Sequence, residues 1–266
     1  MRVLLVGLGN MGQKYLRKLR QMGLQLVLCD EEPSKEQLAL NEPFYASVEA
    51  VSEPVDCAVV AVDPVHHPAV AKELLKRGVR VLLEKPPAAS SRAFLPLVKE
   101  EGLTVSEIEL YSVPVRSFPP VGVRRIYAER LGAGRGYLNP LWDLAWHDLY
   151  VLQHLIGPVT LRSVTKLKDG YLLTGEAGGV PFELKVAWEH PEPKRYWLVE
   201  GEKELYLDFA REELYESGRL LAKREEGDKL SEMLTEFLGG KTVPESRERA
   251  LNNLILLESL DAPRGG

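Results

Sequence analysis

The chain has 266 residues, 45% hydrophobic and 27% charged, with a formal net charge of −5. That length suits two domains, and the composition can build a sizeable core. The acidic balance argues against a nucleic-acid partner, and no apolar run approaches the roughly 18 residues of a membrane span.

The N-terminal "MRVLLVGLGN" has the basic residue and apolar run of a leader, but Gly and Asn break it early and no small-residue cleavage site follows. It reads as a buried strand. Cys29 and Cys57 sit inside apparent strands at a spacing that fits neither zinc nor a disulfide framework. The expectation is a cytoplasmic protein with structural thiols and no metal.

In chain order, strands are expected at Arg2–Val6, Leu24–Cys29, Asp56–Val62, Arg80–Glu84 and Leu103–Ile108. Helical patterns lie between them, in "MGQKYLRKLRQM", "PAVAKELLKRG" and "SSRAFLPLVKEEG". Strands without clean alternation are buried on both faces, so this half predicts a Rossmann-type, doubly wound parallel sheet. Three prolines in "SVPVRSFPPVG" disfavour helix and central strand alike. They place the domain boundary there, giving 1–118 and 119–266. Beyond it come "VRRIYAERLG", a "GAGRG" loop and an amphipathic helix over Asn139–Gly157. A run of strands follows, with hairpin turns at Asp169–Gly170 and Gly178–Gly179. Two helices, "DKLSEMLTEFLGG" and "ESRERALNNLILLESLD", close the chain. The second domain is thus α+β with an open, mainly antiparallel sheet. An open face needs a cover, so a homodimer or homotetramer through that sheet is expected.

The chemistry begins at "GLGNMG". A strand leads into it and a helix leaves it, the context in which G-x-G-x-x-G binds a dinucleotide. Gly7 permits the tight turn, Gly9 lets a pyrophosphate approach, and Gly12 lets helix and strand pack closely. Asn10 and Met11 open the helix whose amides face the phosphates. Asp30 ends the second strand, where a carboxylate can accept the adenosine ribose hydroxyls. With Glu31 and Glu32 it repels a 2′-phosphate, so NAD is expected over NADP.

"VLLEKPPA" delivers Lys85 to the carboxyl edge of the sheet, where ligands bind in open α/β folds. A lysine there can hydrogen-bond a substrate oxygen; the plainer reading is a surface lysine paired with Glu84. In the Asn139–Gly157 helix, Asp143 and His147 stand four apart on one face, with Asp148 beside them. Polar groups among tryptophans and leucines need partners or a task. Taken alone, His147 reads as readily as a packed core histidine. His154 reads as packing and His190 as surface.

"GLGNMG", "AVDPVHHPAVAKELLKRGVRVLLEKP" and "DLAWHDLYVLQHLIG", in that order, resemble the glucose–fructose oxidoreductase, inositol dehydrogenase and rhizopine-catabolism (Gfo/Idh/MocA) family. "WLVEGEKELYLDF" and the closing helices are similar to it too. The resemblance implies hydride exchange between a nicotinamide and a hydroxyl-bearing carbon of a sugar, cyclitol or nucleotide sugar. It assigns Lys85, Asp143 and His147 to the substrate hydroxyl. It adds Asp63, Pro64, His67 and Glu84 to a cofactor-binding set of Gly7, Gly9, Asn10, Met11, Gly12, Asp30 and Lys85. Two other functions fit the same scaffold: reduction of an imine or pyrrole, and a non-catalytic NAD- or sugar-sensing regulator. The sequence departs from the family's pattern at several points, and it is also shorter than typical members. The helix after the last Rossmann strand is collapsed into "VRSFPPVG", Asp63 replaces a threonine, and Tyr150 stands where many relatives carry an acid.

Overall fold

Runs of Val and Leu with no polar residue in alternation, as in Arg2–Val6 and Cys57–Val60, leave a strand one stable place: buried on both faces. In the computed structural model, which describes residues 1–119, 122–136 and 138–260, that is where they lie. The chain divides into two units, Met1–Ser106 with Met233–Leu251, and Glu107–Glu232 with the residues from Asn252 onward.

In the first unit, β1 (Arg2–Val6), β2 (Gln25–Cys29), β3 (Phe44–Tyr45), β4 (Cys57–Val60), β5 (Arg80–Leu83) and β6 (Leu103–Val105) form one sheet. Its order is β3-β2-β1-β4-β5-β6, and every pair is parallel. The order turns back at β1, so the edge beyond β1 and β4 is a switch point, the usual ligand crevice of such sheets. Helices α1 (Asn10–Gln21) and α2 (His67–Lys76) follow β1 and β4. Leu4, Leu5, Val27, Leu28, Val59 and Leu82 are wholly buried, and each stabilises the fold by roughly 1.5–3 kcal/mol.

The expected helix over Ser90–Gly102 is only α3 (Ser91–Phe94), capped by Ser90 and running into a 3-10 turn at Leu95–Leu97. Pro96 is the reason: it donates no N–H and its ring clashes with the preceding turn. The returning segment closes this unit. Ser246 Oγ accepts the Val105 N–H at 3.0 Å, and Arg247 donates to the Glu100 carbonyl.

The second unit begins with a 3-10 turn at Ile108–Tyr111 and α4 (Val113–Arg116), a single turn inside the proline-rich stretch. Pro114 sits in the first turn of α4, where a missing N–H costs nothing. Then come β7 (Val123–Leu131), a π-helical turn at Leu141–Ala145, and α5 (Trp146–Leu155). The expected single helix is therefore two kinds of turn. Strands β8 (Val159–Leu167), β9 (Gly170–Ala177), β10 (Val180–Ala187), β11 (Lys194–Gly201), β12 (Leu205–Asp208), β13 (Glu213–Glu216) and β14 (Arg219–Lys223) complete an eight-stranded sheet.

Its order is β14-β13-β12-β11-β7-β10-β9-β8, antiparallel except where β10 meets β7. Gly178 (φ +53°) and Gly179 (φ +84°) form the tip of the β9–β10 hairpin, both in the left-handed region that such a turn needs. In the β8–β9 hairpin the tip is Lys168–Asp169, and Gly170 is already paired with Leu167. The sheet alternates, burying Ile126, Phe182, Leu184 and Trp197 on one face and leaving Tyr127, Glu129 and Tyr196 only half-buried on the other. α6 (Lys229–Leu238) and α7 (Pro244–Glu258) end the chain.

Candidate functional site

In the first unit, glycine is required at two points of the β1–α1 turn. Gly7 has φ +88°, and a Cβ there would lie 2.5 Å from the Ala61 carbonyl oxygen. At Gly12 a Cβ would lie 1.9 Å from the Gly7 carbonyl oxygen, so helix and strand touch backbone to backbone. Gly9 is different: a Cβ would meet nothing within 4 Å, and the space beside it is open. Gly9 is the N-cap of α1 and supplies no side-chain cap. The N–H groups of Asn10, Met11 and Gly12 have no intrahelical acceptor and form an anion-binding end.

Asp30 is held beside this turn. Its Oδ2 accepts the Leu8 N–H at 2.6 Å and its Oδ1 the Glu32 N–H at 2.9 Å. Asp63 opens the turn into α2, where Oδ1 accepts from Val65 N–H at 2.9 Å and the carbonyl from His66 N–H at 2.9 Å. The next residue, Pro64, is buried and His66 exposed. The open space at Gly9, the unbonded helix amides and the anchored Asp30 carboxylate together fit a dinucleotide.

Two supports lie behind Lys85, which is itself half-buried. Glu84 is 7% exposed; it accepts a hydrogen bond from the Tyr15 hydroxyl of α1, and its Oε2 takes the Lys85 N–H at 3.0 Å. His67 is 1% exposed, with Nδ1 2.8 Å from the Pro86 carbonyl oxygen. Burial pushes the His67 imidazole down to about 4, despite the opposing pull of that carbonyl and Asp63. His67 is thus a neutral brace packed behind the Lys85–Pro86 turn. The cysteines are buried, and burial raises Cys29 to about 12 and Cys57 to about 11, so both stay thiols.

In the second unit the helix separates its polar residues sharply. From Leu141 to Leu152 every residue is buried except Asp143 and His147. Asn139 starts this helix, its Oδ1 accepting the Leu141 N–H at 2.9 Å. The "GAGRG" loop closes against Asp143 and Trp188. A Cβ at Gly136 would lie 2.5 Å from Trp188 Cζ2 and 2.6 Å from Asp143 Oδ2. Trp188 is fixed through Nε1, which donates to the Leu138 carbonyl at 3.1 Å.

Asp148 has the opposite fate. It is 1% exposed and accepts from Arg130 Nε at 2.6 Å and Trp197 Nε1 at 2.7 Å. Arg130 also bonds Glu109 Oε1 at 3.1 Å, and Lys229 Nζ reaches Glu109 Oε2 at 2.7 Å. Burial works to raise the Glu109 carboxyl, but Arg130 and Lys229 outweigh it and hold it below the ordinary carboxylate range. Arg130, Glu109, Lys229 and Trp197 were not picked out from the sequence. One signal was available: Arg130 shares the inward parity of Ile126 and Ala128 on β7, and a buried guanidinium needs an acid. Among the described residues no group of three or more His, Cys, Asp or Glu could hold a metal, and no helix is long and apolar enough to cross a membrane.

Residues 1–107 match the family described as "Oxidoreductase family, NAD-binding Rossmann fold", the Gfo/Idh/MocA group. A protein of Amycolatopsis mediterranei (strain S699), assigned as a UDP-kanosamine synthase oxidoreductase subunit, is 29% identical over 201 residues. That match covers 61% of this chain and 54% of the relative, so the chain aligns with about half of that relative's length. The UDP-N-acetylglucosamine 3-dehydrogenase GnnA of Acidithiobacillus ferrooxidans has the same fold at 20% identity, with a TM-score of 0.80 covering 98% of this chain and 96% of that one. The WlbA dehydrogenase of Bordetella pertussis, solved with NADH and UDP-GlcNAcA, superposes with a TM-score of 0.77 at 19% identity, covering 98% and 95%.

Proposed function

We propose that this oxidoreductase uses NAD(H) to oxidise a hydroxyl carbon, or reduce the corresponding keto carbon, on a sugar-like substrate, with a UDP-sugar as the first candidate. One observation carries the reading: in a helix otherwise buried from Leu141 to Leu152, the two positions left partly open are Asp143 and His147. Core packing alone would not favour an ionisable pair there. The UDP-sugar class rests on the relatives above, two of which are named for UDP-sugars and one of which was solved with such a ligand.

When bound, the nicotinamide supplies or accepts the hydride at the substrate carbon. The protein's own residues do the rest. The amides of Asn10, Met11 and Gly12 would hold the pyrophosphate, with Gly9 leaving room for it and Gly7 setting the turn. Asp30 accepts the ribose hydroxyls and disfavours a 2′-phosphate, which supports NAD over NADP. Asp63 and Pro64 shape the adjoining loop, while Glu84 and His67 position the Lys85 turn. Lys85, Asp143 and His147 act together on the substrate hydroxyl, dividing between them the tasks of orienting it and moving its proton. We further propose a cytoplasmic homodimer or homotetramer, assembled through the outer face of the eight-stranded sheet; a monomeric mass in solution scattering would remove that part.

The test is a nicotinamide absorbance assay with purified protein, NAD or NADH, and a panel of UDP-sugars and their 3-keto forms. Turnover of at least one UDP-sugar or keto sugar is expected. Tight NADH binding with no turnover on any sugar, cyclitol or nucleotide sugar would point instead to a sensor.

A further inference from the structure

His147 Nδ1 lies 3.0 Å from the Tyr150 hydroxyl oxygen, and the two rings meet edge to face with centroids 5.7 Å apart. The Glu109 amide reaches the same oxygen at 2.9 Å. A phenol has one proton to give and two lone pairs to share. The Glu109 N–H can only donate, so it takes one lone pair. Among the described residues the hydroxyl has no third hydrogen-bond partner, and at 1% exposure Tyr150 has no access to bulk water. Unless its proton goes to Nδ1, a buried O–H is left unsatisfied.

We propose that Tyr150 is a positioning residue that fixes neutral His147 in the tautomer protonated on Nε2, so that His147 meets the substrate oxygen as a hydrogen-bond donor. A carboxylate at position 150 would do the opposite: able only to accept, it would draw the proton to Nδ1 and leave Nε2 basic. Burial, and then the Glu109 carboxylate, push the Tyr150 phenol well above its ordinary range, so it keeps the proton it donates.

The consequence rests on the function proposed above. With its Nε2 proton in place, neutral His147 steadies the oxygen and does not act as the base. The proton then passes through Lys85. In reduction the Lys85 ammonium gives a proton to the substrate oxygen and becomes an amine while the carbon gains the hydride. In oxidation the amine takes the hydroxyl proton as the hydride leaves. His147 is unchanged by either direction.

The experiment is ¹⁵N NMR of histidine-labelled full-length protein at alkaline pH, with the His147 signals among the five histidines identified by their loss in His147→Gln. The expected result is an unprotonated Nδ1 and a protonated Nε2. A proton on Nδ1 overturns the proposal. In Tyr150→Phe the His147 signals should shift toward a tautomer mixture, and an unchanged tautomer in the folded variant also overturns it. Should that variant not fold, the native spectrum still decides. Neither readout needs turnover, so the tautomer stands or falls separately from the search for a substrate.

Discussion

The β1–α1 turn of the first unit and the α5 helix of the second solve different problems with different parts. The turn is made of backbone: Gly7 is fixed by its φ, Gly7 and Gly12 by contacts that leave no room for a Cβ, and the groups proposed to bind are amides. The helix is made of side chains. Asp148 on it is locked by Arg130 and Trp197, whereas Asp143 and His147, a few residues away, keep partial access to the surface. A backbone site follows from a short motif, and a side-chain site depends on residues contributed by other elements.

That contrast can be broken or sharpened by substitution. Lys85→Ala carries the largest expected effect. A lost proton-transfer group should lower kcat about 10²–10⁴-fold, while the β1–α1 turn, left intact, should hold NADH within about threefold of the native Kd by fluorescence titration. Unchanged turnover would remove Lys85 from the chemistry. Asp148→Ala should act on stability instead. It leaves Arg130 buried without its closest acid, at a cost of about 3–5 kcal/mol in urea unfolding. A loss under about 1 kcal/mol would mean that the ionic cluster is not what holds α5.

Next is His67. Its folded value near 4 lies below the ordinary 6.5, so between those values the unfolded chain binds the extra proton. Stability owed to the neutral, buried ring is therefore complete above about pH 6.5 and is lost as pH falls toward 4, by about 3 kcal/mol. His67→Gln should flatten that acid limb in denaturation curves taken across the window. Asp30→Asn is the smallest change. It keeps an acceptor for the Leu8 N–H but removes the charge, so NAD should bind about tenfold or more weakly and the preference against NADP should fall. If NADPH already binds the native protein better than NADH, the account of Asp30 is wrong.

How much the sequence revealed follows the same division. "GLGNMG" and the strand ending in Glu84–Lys85–Pro86 were legible because glycine and strand-end positions carry their own geometry. The parallel sheet followed from unbroken apolar runs, and the second sheet from alternation. Four features were not legible, because each depends on contacts distant in sequence: the Tyr15–Glu84 bond, the His67 brace, the Arg130–Asp148–Trp197 cluster and the Tyr150–Glu109 contact. Asp148 and His147 are neighbours on one helix and look equivalent in the sequence. Only the inward parity of Arg130 on β7 hints that one of them has a buried partner. Shorter elements escaped as well. β13 and β14 carry too few residues to show alternation, and the π-helical turn before α5 leaves no pattern distinct from an α-helix.

The central claim is that α5 divides its polar residues between structure and chemistry, and His147→Leu, which leaves no side-chain donor, tests it most directly when turnover and unfolding free energy are measured on the same preparation. Loss of a hydrogen-bond donor to the reacting oxygen predicts a kcat lower by about 10²–10³-fold, with stability within about 0.5 kcal/mol of the native protein. A drop of several kcal/mol in stability with kcat per folded molecule preserved would make His147 another packing residue and contradict the account.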